Sequence, residues 1–181
     1  MFSIKKSTHK TLAPRKQPPR DRELMDRLGA IELGYHPLVV DYNADINKLV
    51  LAGGYRHISN QAKHLIAKNL FLRSIKHGQE TLSVVRIQFG REMSLHSAGD
   101  LIYATGLRLT WIMELLHWGI TYPKQQQKFP IVAPGAIART GESCLVFLDG
   151  DSISGRDLAS VPLGSALTAN TRFLAIDPSP L

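Results

Sequence analysis

Apolar and polar positions change period several times along the chain, and each change marks an element. Residues 21–33, DRELMDRLGAIEL, place Leu24, Leu28 and Ile31 at helical spacing, with Asp21 and Glu23 near the start, where acidic side chains suit the helix dipole. That spacing predicts a short helix ending near Gly34. After Pro37 the run LVVDY reads as a short strand, and DINKLVLAGGY as a short helix that the Gly53–Gly54 pair stops. Ser59 or Asn60 is placed to cap a further helix through QAKHLIAKNL. In ETLSVVRIQF, Val85, Ile87 and Phe89 alternate with Arg86 and Gln88, the period of a half-buried strand.

Residues 94–105 read as a helix with Ser94 or Ser97 as its cap and Gly106 as its stop. Over residues 109–118, Leu109, Trp111, Ile112, Met113, Leu115, Leu116 and Trp118 fill a broad arc of a helix, and Thr110, Glu114 and His117 share the remaining stripe. The arc predicts burial along most of the girth; the stripe predicts a solvent-facing Glu114–His117 pair. Tyr122–Pro123 ends the helical region, because the residue before proline is pushed out of the α region. Gln125, Gln126 and Gln127, between Lys124 and Lys128, form a polar connector. From Phe129 onward, FPIVA, CLVFL, LASVP and RFLAI are short β-type runs between turn residues, with Pro134–Gly135 bending the first. The predicted fold is a single α+β domain: N-terminal helices, then a small, mainly antiparallel sheet in the C-terminal third. No repeat of period about 20 to 50 residues interrupts it.

A chain of 181 residues has the size of one domain, and its composition, 44% apolar and 20% charged, is that of a folding sequence. The net charge of +7 is segregated. Residues 1–22 carry Lys5, Lys6, Lys10, Arg15, Lys16, Arg20 and Arg22 against Asp21 alone, so 7 − 1 gives +6 there and leaves +1 for the rest. Residues 1–20 contain three prolines, six basic side chains and no acid, too little apolar surface to order themselves. They read as a flexible basic arm ahead of a domain at 21–181. No apolar stretch of signal-peptide kind follows the basic start, and no segment approaches the roughly 18 apolar residues of a membrane helix. The single Cys144 excludes an intramolecular disulfide. A reducing, cytoplasmic setting without membrane contact is expected; residues 1–20 also have the basic, acid-poor character of an organellar transit peptide.

Between residues 41 and 176 the chain resembles an uncharacterised group of small bacterial proteins. The resemblance is carried by DINKLVLAGGY, by Glu114-Leu115-Leu116, by Tyr122-Pro123 with Gln126, by Phe129-Pro130-Ile131-Val132 and Gly135, by Asp149-Gly150, and by Arg172-Phe173-Leu174-Ala175. Pro134 stands where the group has a small apolar residue, and the tryptophan usual shortly after the shared glycine is missing. The resemblance implies no activity. The order of helix, central strand and closing terminal strand also resembles the C-type-lectin-like layout more loosely, and a shared layout does not license a function.

Candidate chemistry is sparse. His96 and Asp100, four residues apart at the start of a helix, are the spacing for a carboxylate-oriented general base, or for dipole and capping roles. His57 and His64 are seven apart, but Ser59 or Asn60 caps a helix between them, against a shared metal site. Cys144 opens a strand where a small apolar residue belongs and has no basic neighbour in sequence to activate it. Asp149-Gly150-Asp151 lacks the further oxygen ligands of a calcium loop and reads as a hairpin turn. No cofactor or metal is called for. The basic arm is the strongest functional signal: its charges suit a nucleic-acid backbone or an acidic protein surface, and its prolines in place of aromatics give it no means of stacking on bases. The leading expectation is therefore a non-enzymatic binding or accessory protein. A small hydrolase-like enzyme built on His96, Asp100, His117 or Cys144 is the alternative, and a subunit of a homo- or hetero-oligomer the third.

Overall fold

Local chemistry accounts for most element ends in the computed structural model, which describes residues 19–71, 76–138 and 143–179. The arm positions Lys5, Lys6, Lys10, Arg15 and Lys16 lie outside the described residues. Helix α1 (Pro19–Leu28) stops where Gly29 takes φ +61°, and the chain is already extended as β1 (Glu32–Asp41) by residue 32. The helix predicted to run toward Gly34 is thus shorter, because Ile31, which fitted its spacing, is 60% exposed beyond the turn. Asp45 caps α2 (Ile46–Gly53) by accepting hydrogen bonds from the amides of Asn47 and Lys48, and Gly54 closes the helix in the left-handed region, at φ +58°. Strand β2 (His57–Ile58) precedes α3 (Asn60–Ala67), whose cap is Ser59. Then come β3 (Gln79–Gln88), β4 (Met93–Ser94) and α4 (Leu95–Ala104), capped by Ser94. Strand β5 (Arg108–Leu109) leads into α5 (Ile112–Thr121), and β6 (Ile131–Ala138), β7 (Cys144–Asp151), β8 (Gly155–Pro162), β9 (Ala166–Leu167) and β10 (Arg172–Asp177) complete the chain.

The fold is α+β, but its sheet is not confined to the C-terminal third. The strand order is β1-β3-β10-β6-β7-β8-β2, with β5 paired to β10, and β4-β9 forms a separate pair. Most pairings are antiparallel; β10 with β6 and β2 with β8 are parallel. The terminal strand β10 lies between β3 and β6 and joins the N-terminal half of the sheet to the C-terminal half. Local periodicity cannot show this, because the pairing of Phe173 with Ile87 closes a loop of more than eighty residues.

Alternation along the strands divides the apolar residues between two cores. Leu38, Val40, Val84, Leu174, Ile131 and Val146 face α2, α3 and α5. Val85, Ile87, Phe173, Ala175, Val132 and Leu145 face α1 and α4. Strand β3 is therefore covered on both faces, not half-buried. Even Arg86 is covered, by the connector after α5: its Nη1 donates to Gln125 Oε1 at 2.6 Å, its Nη2 pairs with Glu32, and its guanidinium lies over the Phe129 ring at 5.3 Å. Arg172 lies over the other side of this cluster, 4.2 Å from the Phe129 centroid and 3.2 Å from Glu32 Oε2. Gln126 is fully buried, and its Nε2 donates to the carbonyls of Asp149 (2.8 Å) and Asp157 (3.2 Å). The three-glutamine connector is thus a fastening across the sheet.

Two further expectations shift. Asp149 and Gly150 belong to β7, and the turn begins at Asp151, whose carboxylate accepts from the Ile153 and Ser154 amides and the Ser154 hydroxyl. These bonds hold its carboxyl below the usual range, the Ser154 hydroxyl foremost. Pro134–Gly135 does bend β6, whose register against β7 shifts between Val132 and Ile137. Gly135 is required there, since a Cβ would sit 2.6 Å from the Trp111 ring and 2.7 Å from the Thr110 carbonyl.

Candidate functional site

Glu114 holds the N-terminal end of α5 in place. It is 1% exposed, and its Oε1 accepts from the Tyr42 hydroxyl at 2.6 Å and from Arg108 Nη2 at 2.7 Å, while Oε2 accepts from the Trp111 amide. The expected solvent-facing stripe is therefore inside the protein. Thr110 is also buried and donates to the Leu174 carbonyl at 2.8 Å. The helix begins at Ile112, so Thr110 precedes it, and Glu114 finds its partners on other segments that the helical wheel does not include. Burial raises the Tyr42 pKa, and the hydrogen bond to Glu114 raises it further. For Arg108, burial acts against the charge, but the hydrogen bond and charge of Glu114 outweigh it and hold the guanidinium above its ordinary value.

The structure assigns separate tasks to the residues considered for catalysis. His117 does not pair with Glu114: its Nδ1 donates to the Met113 carbonyl at 2.8 Å and its Nε2 accepts from the Asp41 amide at 3.2 Å, a neutral tautomer fixed by the network. Cys144 is buried in the same core, where its Sγ accepts from Gln61 Nε2 at 3.4 Å. His96 and Asp100 do come together, with Nε2 to Oδ2 at 3.3 Å, but their side chains are 89% and 68% exposed, and α4 covers the sheet face opposite α5. His57 lies on β2 and His64 on α3, with the Ser59 cap between them. Among the described residues, no group of three His, Cys, Asp or Glu side chains gathers to hold a metal ion, and no helix is long and apolar enough to cross a membrane.

Tyr103, like Leu51 and Ile153, is a large apolar side chain left exposed on the surface. It stands 76% exposed on α4, a helix that buries Leu95, Ala98 and Ile102. Two concavities share it. On one side is an open groove of about 790 Å³ lined by Arg27, Arg108, Trp111 and Pro178 together with the turn at 104–107. On the other is a smaller apolar groove of about 320 Å³ with Leu95, Leu109, Pro134, Ile137 and the His96–Asp100 pair. Gly106, at φ +83°, turns the chain after α4 so that β5 joins β10 and Arg108 reaches the rim. Arg27, in the last turn of α1, donates from Nη2 to the Ala104 carbonyl at 3.1 Å and fixes α1 against the end of α4. Of the arm residues, Arg20 falls in the first turn of α1 and Arg22 is exposed on the same helix.

Tyr103 and Arg27 were not singled out by the sequence, and Trp111 counted there as helix core. The signal was present: His96, Asp100 and Tyr103 recur at i, i+4 and i+7, the polar stripe opposite the buried face of α4. A further cleft of about 440 Å³ lies beside Tyr42, between α2, α3 and α5, with Asn43, Asn47, Ile66, Lys76 and Met113 in its wall. Lys76 there pairs with Glu80 and lies 5.5 Å from the Tyr42 ring centroid. No protein-family model matches the chain, and no curated protein or solved structure matches it either.

Proposed function

We propose that this is a non-enzymatic binding protein that attaches to an anionic macromolecule through Lys5, Lys6, Lys10, Arg15, Lys16, Arg20 and Arg22. The observation that carries the reading is the segregation of charge: +6 in residues 1–22 against +1 in the remaining chain. The employment of His117, Cys144 and Glu114 as fold contacts supports a binding protein over an enzyme. The resemblance to an uncharacterised bacterial group carries no assigned activity, so charge and geometry bear the weight.

Deleting residues 1–18 removes five basic side chains and leaves α1 whole. The expected result is a clear loss of affinity for a polyanion such as heparin and a shallower dependence of log K on log salt between about 50 and 200 mM. The melting temperature is expected to stay unchanged. An arm-deleted protein that binds as tightly with the same salt slope overturns the reading.

A further inference from the structure

We infer that the exposed face of α4 docks a second copy of this chain. The two α4 helices lie antiparallel across a two-fold axis, and Tyr103 of each copy enters the apolar groove of the other. The inference goes beyond the anionic-partner reading and does not rest on it.

Its first support is a knob beside a matching hollow. His96, Gly99, Asp100 and Tyr103 recur at i, i+3, i+4 and i+7 and form one seam along α4. Tyr103 projects from the end of that seam, 76% exposed, and the groove of about 320 Å³ lies along it, walled by Leu95, Leu109, Pro134 and Ile137. Gly99 lines the same groove and weakens its own helix, where alanine would serve better. Nothing inside the described fold requires it. A Cβ there would meet only Leu109 Cδ1, at 4.0 Å, an ordinary contact, and its φ lies outside the left-handed region. What a glycine at this place allows is the close approach of a ring or a backbone from outside.

The second support is the charge along the seam. Asp100, 68% exposed, stands with His96 toward the N-terminal end of α4. At the C-terminal end Arg27 is held by its hydrogen bond to the Ala104 carbonyl, and it pairs with no carboxylate among the described residues. A face with an acid toward one end and a base at the other complements itself when two copies lie antiparallel about a two-fold axis. With the axis at Leu101, Tyr103 of one copy lies against Gly99 of the other. The same axis brings Ala104, where Arg27 is held, within one helical turn of the partner copy's Asp100. A foreign protein could use the groove or the charges; a second copy answers both. One helix face per copy is at the small end of interface sizes, so the dissociation constant is expected in the micromolar range.

The test is sedimentation velocity of the full chain through the micromolar range at about 150 mM salt, where charges more than about 8 Å apart are largely screened and the basic N-terminal runs repel less. The expected result is a monomer that passes to a closed dimer and no further. Gly99→Gln and Tyr103→Ala are each expected to keep the melting temperature and to weaken the dimer about 10-fold or more, since each change counts twice across a two-fold axis. Arg27→Asp and Asp100→Arg are each expected to weaken it about 10-fold. An equimolar mixture of those two variants should recover it, because both contacts of the mixed dimer then join opposite charges. A monomer at every concentration overturns the inference, as does a dimer that Gly99→Gln and Tyr103→Ala leave intact. A dimer unweakened by Asp100→Arg, or charge variants of unchanged melting temperature whose mixture recovers nothing, overturns the antiparallel pairing. Attachment to a polyanion, and its loss on deleting residues 1–18, stands or falls separately.

Discussion

His36 shows how a single side chain can carry a pH response that its position in the sequence does not suggest. It projects from β1 against α5, with edge contacts to Trp118 (centroids 5.0 Å) and Tyr122 (5.2 Å), and its buried Nε2 finds no hydrogen-bond partner among the described residues. Burial, and then the nearby Arg86 charge, lower its pKa below the ordinary histidine value of about 6.5, and Glu32 opposes them more weakly. The neutral ring is the one the fold accepts. At high pH the folded and unfolded chains both carry it neutral. As pH falls through the unfolded value the unfolded chain takes up the proton first, so stability is lost downward from about pH 6.5 until the folded-state pKa is reached. The urea midpoint is therefore expected to fall between pH 7 and pH 5, and His36→Phe, which removes the titrating group and keeps an aromatic ring, should flatten that fall. An equally steep fall in the variant would place the effect elsewhere.

At the scale of elements, the edge strand β1 explains residues that looked functional. Pro37 has no amide hydrogen, so its pairing with Ser83 leaves its carbonyl pointing away from β3. The Tyr122 hydroxyl donates to that carbonyl, and four residues along, on the same outward side, the Asp41 amide donates to His117 Nε2 at 3.2 Å. Helix α5 and its C-terminal cap thus block the edge with two side chains, His117 from the helix and Tyr122 from the cap. Replacing both, as His117→Leu with Tyr122→Phe, is expected to cost about 2 kcal/mol, roughly one net hydrogen bond each, measured by chemical denaturation. The variant should also show self-association on light scattering, since β1 then offers an open ladder. A monomer of unchanged stability would show that these contacts do not protect the edge.

These elements also show what could be read in advance. The caps Ser59 and Ser94 and the stops at Gly54 and Gly106 are local devices, acting within four residues, and the sequence displayed them; Asp45 is a cap of the same kind that only the structure brought out. Glu114 was misplaced because a helical wheel assumes that a carboxylate seeks water, while Arg108 and Tyr42 meet it inside. Tyr103 and Arg27 were missed because they belong to different helices, whose meeting depends on α1 docking beside α4.

For the whole molecule, β10 is the element on which the architecture depends. All six of its residues are buried, and it is the strand between β3 and β6. Truncation after residue 170 would leave β1-β3 and β6-β7-β8 as two fragments of sheet, each with a newly open edge. The expected outcome is loss of the cooperative thermal transition by circular dichroism, in contrast to deletion of residues 1–18, which should leave it intact. A truncated chain that melts cooperatively at an unchanged temperature would mean that the two halves of the sheet hold together without β10.

The sequence by itself determined the elements with local causes: capped helices, alternating strands, the bend at Pro134–Gly135, and a positive charge concentrated in the first 22 residues. Those follow from steric preference, periodicity and charge counting, each visible within a few residues. The tertiary structure alone decided that the sheet runs through the whole fold with helices on both faces, that Glu114 and Gln126 are interior fastenings, that His117 accepts from the Asp41 amide of β1, and that Tyr103, Trp111, Arg27 and Arg108 share one groove. Each of these joins residues distant in the chain, and such contacts are selected by the fit of whole faces during packing, which no window of sequence contains.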